Sequence, residues 1–135
     1  MSGSRGRAIA TGALALFYGA AGVAHLLFTS AMVRIVPPWV PMPRAVVIVT
    51  GLCELAGAAA LLVPALRRPA ALAFAAYAVC VYPANVQHAI LDLHSGTGLG
   101  LWYHAPRLAA QPLLVAWAWW VAAAWTRQPS RARAS

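Results

Sequence analysis

Residues 44–63 read RAVVIVTGLCELAGAAALLV. At a helical rise of ~1.5 Å per residue, this run covers the ~30 Å hydrocarbon layer of a bilayer. Glu54 is the one acid inside it, and Pro64 follows directly. A run this apolar reads as a membrane span, and Glu54 as a polar group that must find company inside a helix bundle.

The same reading extends in both directions. Apolar blocks over 8–28, 69–90 and 105–126 accompany 44–63, which predicts an all-α, four-helix transmembrane bundle forming a single membrane domain over 1–135. Pro37, Pro38, Pro41 and Pro43 predict a proline-rich interfacial loop between the first two helices, with one short helical turn near 30–35. Pro69 and Pro106 suit first-turn positions, and Asp92 to Tyr103 reads as a glycine-containing loop. Residues 127–135 are expected to be a disordered cytoplasmic tail. Arg5 and Arg7 precede a first apolar block too long for a cleaved signal core, so it reads as a retained span.

Composition supports a membrane class and excludes an ordinary soluble domain: 62% of residues are hydrophobic and 9% charged. The net charge of +8 is carried by arginine alone against Glu54 and Asp92. Those arginines sit at block ends, where they orient helices and meet anionic lipid, so no nucleic-acid partner is expected. Arg5, Arg7, Arg67, Arg68, Arg127, Arg131 and Arg133 share one side and Arg34, Arg44 and Arg107 the other. The richer side is expected to be cytoplasmic, which places both termini there. Cys53 and Cys80 are widely separated and read as buried small apolar residues, not a redox pair.

Helical rise also gives a depth scale. Glu54 falls near mid-membrane, level with Cys80, while His25, Asn85 and His88 lie toward the outer boundary and Gln111 enters from the fourth helix. On this scale Glu54 and His25 differ in height by about 10 Å. These groups are expected to line an outer polar cavity opening toward Asp92, His94, His104 and Arg107. Glu54 and His25 are the candidate catalytic pair, and Asn85, His88 and Gln111 the candidate ligand-binding residues. The competing reading of Glu54 is a structural lock, a neutral carboxyl bonded to the Val79 carbonyl that Pro83 leaves without its helical donor. The four histidines lack a diagnostic metal spacing and read as interfacial residues, with no metal expected.

Four pieces in order then suggest a family. Gly22-Val23-Ala24-His25, Val36-Pro37-Pro38 with Pro41-Met42-Pro43, Thr50-Gly51-Leu52-Cys53-Glu54-Leu55-Ala56-Gly57, and Pro83-Ala84-Asn85-Val86-Gln87-His88 resemble the DoxX-like family of small bacterial membrane proteins. The resemblance implies a four-helix bundle in the bacterial inner membrane, with relatives associated with sulfur oxidation, quinone reduction or oxidative stress. The family-like polar positions are His25, Glu54, Asn85 and His88. The closely spaced cysteines of thiol-exchanging membrane proteins are missing.

Two functions follow as expectations. One is an accessory or binding subunit of a redox, quinone-linked membrane system, with no cofactor-binding pattern evident and quinone the one cofactor class in view. The other is a small intramembrane acid–base enzyme, an isomerase, cyclase or ring-opening enzyme acting on a lipophilic substrate with Glu54 as acid. Expected partners are membrane lipid, a redox subunit or a lipophilic small molecule. A proton-coupled transporter is less favoured, because four spans enclose a path only by forming a homo-oligomer.

Overall fold

The computed structural model describes residues 2–96 and 98–125. Five helices account for most of them, and no strand occurs among the described residues: α1 (Ser2–Leu27), α2 (Thr29–Val33), α3 (Pro43–Leu62), α4 (Arg67–Ser95) and α5 (Leu101–Ala124). Three helices are long and apolar enough to cross a membrane: Gly3–Leu27, Pro43–Leu62 and Arg67–Ser95. The helix α5 is comparably long and continuous, with Pro106 and Pro112 inside it, and is not among these three. The expected tail at 127–135 lies outside the described residues.

Helix ends differ from the sequence reading for local reasons. The helix α1 begins well before Ala8, since Gly3, Ser4 and Gly6 continue the same coil. Its far end is closed by buried Thr29, whose hydroxyl donates to the carbonyls of His25 and Leu26 at 2.8 and 3.0 Å. Extended backbone at Val63, the geometry a following proline imposes, stops α3. Arg67 and Arg68 belong to the first turn of α4, which therefore starts two residues before Pro69. The stretch from Asp92 to Tyr103 is mostly helix, since α4 runs to Ser95 and stops at Gly96, whose left-handed φ of 65° suits glycine.

The helices pack chiefly as two antiparallel pairs, α1 with α3 and α4 with α5. Glycine makes the first pair close. A Cβ on Gly22 would lie 2.8 Å from the Gly51 carbonyl, and one on Gly51 2.8 Å from the His25 Cβ, so the backbones almost touch. Gly57 accommodates the ring of Phe74 in the same way.

The apolar core occupies the end of the bundle nearer Arg7 and Arg67. Leu14, Tyr18, Leu61, Phe74, Ala118 and Val121 bring all four long helices together there. Tyr18 and Phe74 stack with centroids 3.7 Å apart and planes 5° from parallel. At the same end Trp125 donates to Thr11 at 3.0 Å and lies under the Arg67 guanidinium, while Arg67 reaches the Leu61 carbonyl at the terminus of α3. Large apolar side chains such as Leu16, Leu27, Val49 and Leu113 point outward, as lipid contacts require. Cys53 and Cys80 also face outward, which corrects the expectation of burial; each lies on the helix face away from the core.

The glycine crossing predicts a contrast. Gly22→Val should destabilise the purified protein by about 1–3 kcal/mol, the range for overpacking, seen as a lower Tm in detergent. Gly12→Ala meets nothing within 4 Å and should leave Tm unchanged or slightly raised.

Candidate functional site

Polar side chains concentrate beyond the apolar core, in two clusters. The first joins α1 to α3. Glu54 is 2% exposed, and its Oε2 lies 2.8 Å from Nδ1 of His25. The expected height difference of about 10 Å between them is therefore corrected. Side chains on a helix lean toward its N-terminus. Because α1 and α3 are antiparallel, His25 leans toward the core while Glu54 leans away from it, and the two reaches close the gap. The crossing at Gly22 and Gly51 removes the lateral distance as well.

The pair is close in distance but not aligned as a hydrogen bond. Nδ1 of His25 also lies 2.9 Å from the Ala21 carbonyl, and Glu54 Oε2 has no aligned donor. One ring nitrogen thus stands between a backbone acceptor and a carboxyl oxygen with lone pairs to spare. Tyr77 from α4 approaches the same carboxyl. The structural lock on Val79 is not formed: Val79 and Pro83 both lie on an exposed face of α4, whereas Glu54 is buried toward α1.

The second cluster joins α4 to α5. Asn85, His88 and Asp92 follow one another at i, i+3 and i+7 on α4, and His104, Arg107 and Gln111 repeat that spacing on α5, so each trio shares one helix face. Across the seam, Arg107 donates to Asn85 Oδ1 at 2.6 Å and to His88 Nδ1 at 2.9 Å. Asp92 Oδ2 lies 2.9 Å from His104 Nε2 and 3.5 Å from His88 Nε2. It also accepts the Leu99 amide at 3.1 Å. That last bond needs the loop to press against the carboxyl, and only glycine allows it, since a Cβ on Gly98 would collide with Asp92.

All five sequence-predicted residues occupy these two regions. His25 and Glu54 form the first cluster, Asn85 and His88 the second. Gln111 lies one turn beyond Arg107 and is buried, with its Oε1 unpartnered among the described residues. His94 is exposed and joins neither cluster. Tyr77 and Tyr103 were not signalled by sequence, because tyrosine in an apolar helix looks like any interfacial aromatic. The expectation that Asp92, His104 and Arg107 gather at the mouth of the outer cavity agrees with this cluster, while their individual contacts depend on how α4 and α5 pair.

A cleft of about 720 Å³ opens beside the second cluster. His88, Asp92, Tyr103 and Arg107 line one part, Phe28, Met32, Ile35 and Leu91 another, and Arg34 joins them from the segment after α2. Such a volume holds a small molecule with a polar head and an apolar body.

A double-mutant cycle tests the first cluster. His25→Ala and Glu54→Gln should each lower stability, and the double variant should cost less than their sum, with a coupling of about 1–3 kcal/mol by unfolding in detergent. Strict additivity would mean that the two groups do not interact.

No curated protein and no solved structure matches the chain. A family model does match, over residues 14–122, a span holding both polar clusters and every helix that contributes to them. The chain therefore belongs to the family described as a domain of unknown function, DUF8561.

Proposed function

We propose that this chain is a DoxX-like protein of the bacterial inner membrane that crosses the bilayer four times and binds the head group of a quinone-like ligand in its outer half, as an accessory subunit of a redox system. Support for α5 as the fourth span comes from its tryptophans. Trp102 is 94% exposed near one end and Trp119 63% exposed near the other. Their separation along the helix is about 26 Å at ~1.5 Å per residue, close to the spacing of the two interfacial aromatic belts. The arginine count supports the orientation, with Arg5, Arg7, Arg67 and Arg68 at one end and Arg34, Arg44 and Arg107 at the other. A reporter active only in the cytoplasm should therefore work when fused after Ser135; activity of a periplasm-only reporter at that point would overturn the orientation.

The observation that carries the ligand reading is the Arg107 guanidinium, held by Asn85 and His88 at the edge of the cleft. Both holders are neutral acceptors, so the fork is positioned without being neutralised, and its remaining hydrogens suit a carbonyl acceptor. The Tyr103 ring lies 5.7 Å from the guanidinium, and apolar walls continue toward lipid. Short-chain ubiquinone or menaquinone analogues titrated into protein in nanodiscs should bind, and Arg107→Ala should weaken binding at least about tenfold, the loss of a charge-assisted hydrogen bond. Absence of binding, or equal binding by the variant, would sink this reading.

A second reading is favoured by the His25–Glu54 contact: acid–base chemistry on a lipophilic substrate, with Glu54 as acid and His25 as base. A candidate substrate turned over equally well by Glu54→Gln would exclude that role.

A further inference from the structure

We propose that His88, Asp92 and His104 form a binding site for a divalent transition-metal ion at the floor of the outer cleft. Their three donor atoms all lie within 4.8 Å of one another. Two of the separations, 2.9 and 3.5 Å from Asp92 Oδ2 to the histidine Nε2 atoms, already bracket the value that a tetrahedral ion imposes. Metal–ligand bonds of about 2.0–2.2 Å hold neighbouring donors roughly 3.3 Å apart. Only the two imidazoles need to draw closer, and both are side chains on helices packed against each other.

The donors are of the right kind and are held in place. Two neutral imidazoles and one carboxylate suit Zn²⁺, Fe²⁺ or Co²⁺ better than Mg²⁺ or Ca²⁺, which favour all-oxygen sites. His104 is 1% exposed and so has a fixed ring position, and the Leu99 amide orients the Asp92 carboxylate from outside the triad. His88 and Asp92 are one turn apart on α4, so their spacing is set by the helix. Three protein donors with the fourth direction facing a cleft is the arrangement of a site that accepts an exogenous ligand.

One neighbour opposes the ion. Arg107 donates to His88 Nδ1, which leaves the hydrogen of a neutral ring on Nε2, facing Asp92. A metal needs that nitrogen's lone pair, so on binding the hydrogen moves to Nδ1 and Arg107 must turn away. Arg107→Gln replaces a donor that conflicts with Nδ1–H by an amide oxygen that accepts it. The site should become tighter, which a simple charge cluster would not predict.

The test uses the full chain, purified through an affinity tag free of histidine, stripped with chelator and titrated with Co²⁺ in detergent. Expected are one Co²⁺ per chain with visible d–d absorption, displaced by Zn²⁺. His104→Ala should weaken binding at least tenfold, and so should His88→Ala, whose side chain borders the cleft and can be removed with less risk to folding. His94→Ala, an exposed histidine outside the cluster, should bind as the parent does, and Arg107→Gln should bind more tightly. No stoichiometric Co²⁺, or uptake that survives in His88→Ala and disappears in His94→Ala, would overturn the proposal. Because the probe is the metal alone, this outcome is independent of whether a quinone binds.

Discussion

Inside a bilayer no water is at hand to satisfy a polar side chain, so each one must be accommodated by the bundle. Glu54 makes that constraint concrete. A carboxyl in mid-helix, on one of the most apolar segments of the chain, is kept from lipid by turning onto α1 and lying against His25. Gly22 and Gly51 bring the two helices near enough for it to do so. Position, backbone spacing and partner are therefore a single solution, and a side chain larger than hydrogen at either glycine would separate the pair.

Both acids of this chain meet histidine. Glu54 has His25, and Asp92 has His88 and His104. A chain with ten arginines had other choices of counter-ion, and none of the ion pairs among the described residues uses one. Arginine is permanently charged and would hold either carboxylate in one state, whereas an imidazole changes its charge near neutral pH and can ligate a metal. The choice of partner favours groups that exchange protons or ions over groups that only fasten helices.

Much of the fold could be read from sequence, because long apolar blocks bounded by proline and arginine have few structural solutions. All five candidate site residues were likewise visible as polar interruptions of apolar runs. Register between helices was not. Depth counted separately along each helix ignores the opposite lean of side chains on antiparallel neighbours, and that lean joins His25 to Glu54. Azimuth was invisible too: Cys53 adjoins Glu54 in sequence yet faces the other way, since successive residues on a helix turn by about 100°. Asp92 and His104 were placed in a loop and at a helix start, where nothing announces that α4 extends far enough to set them side by side.

The division of the bundle explains where its cleft lies. Near Arg7 and Arg67, Tyr18 stacks on Phe74 and Trp125 reaches Thr11, so α1 is tied to both α4 and α5. Toward the other end most polar contacts fall within pairs: His25 with Glu54 inside α1–α3, and Arg107, His88, Asn85, Asp92 and His104 inside α4–α5, with Tyr77 of α4 on Glu54 the contact that crosses. So few crossing contacts leave little to draw the two pairs together there. The cleft lies along that seam, with Phe28, Met32 and Ile35 from the α1–α2 side and His88, Tyr103 and Arg107 from α4 and α5. A ligand entering it meets apolar surface from one pair and a positioned polar edge from the other. Binding would supply the cross-contacts that the polar end lacks, so occupancy should be felt as tighter association of the two helix pairs and not only as local contact.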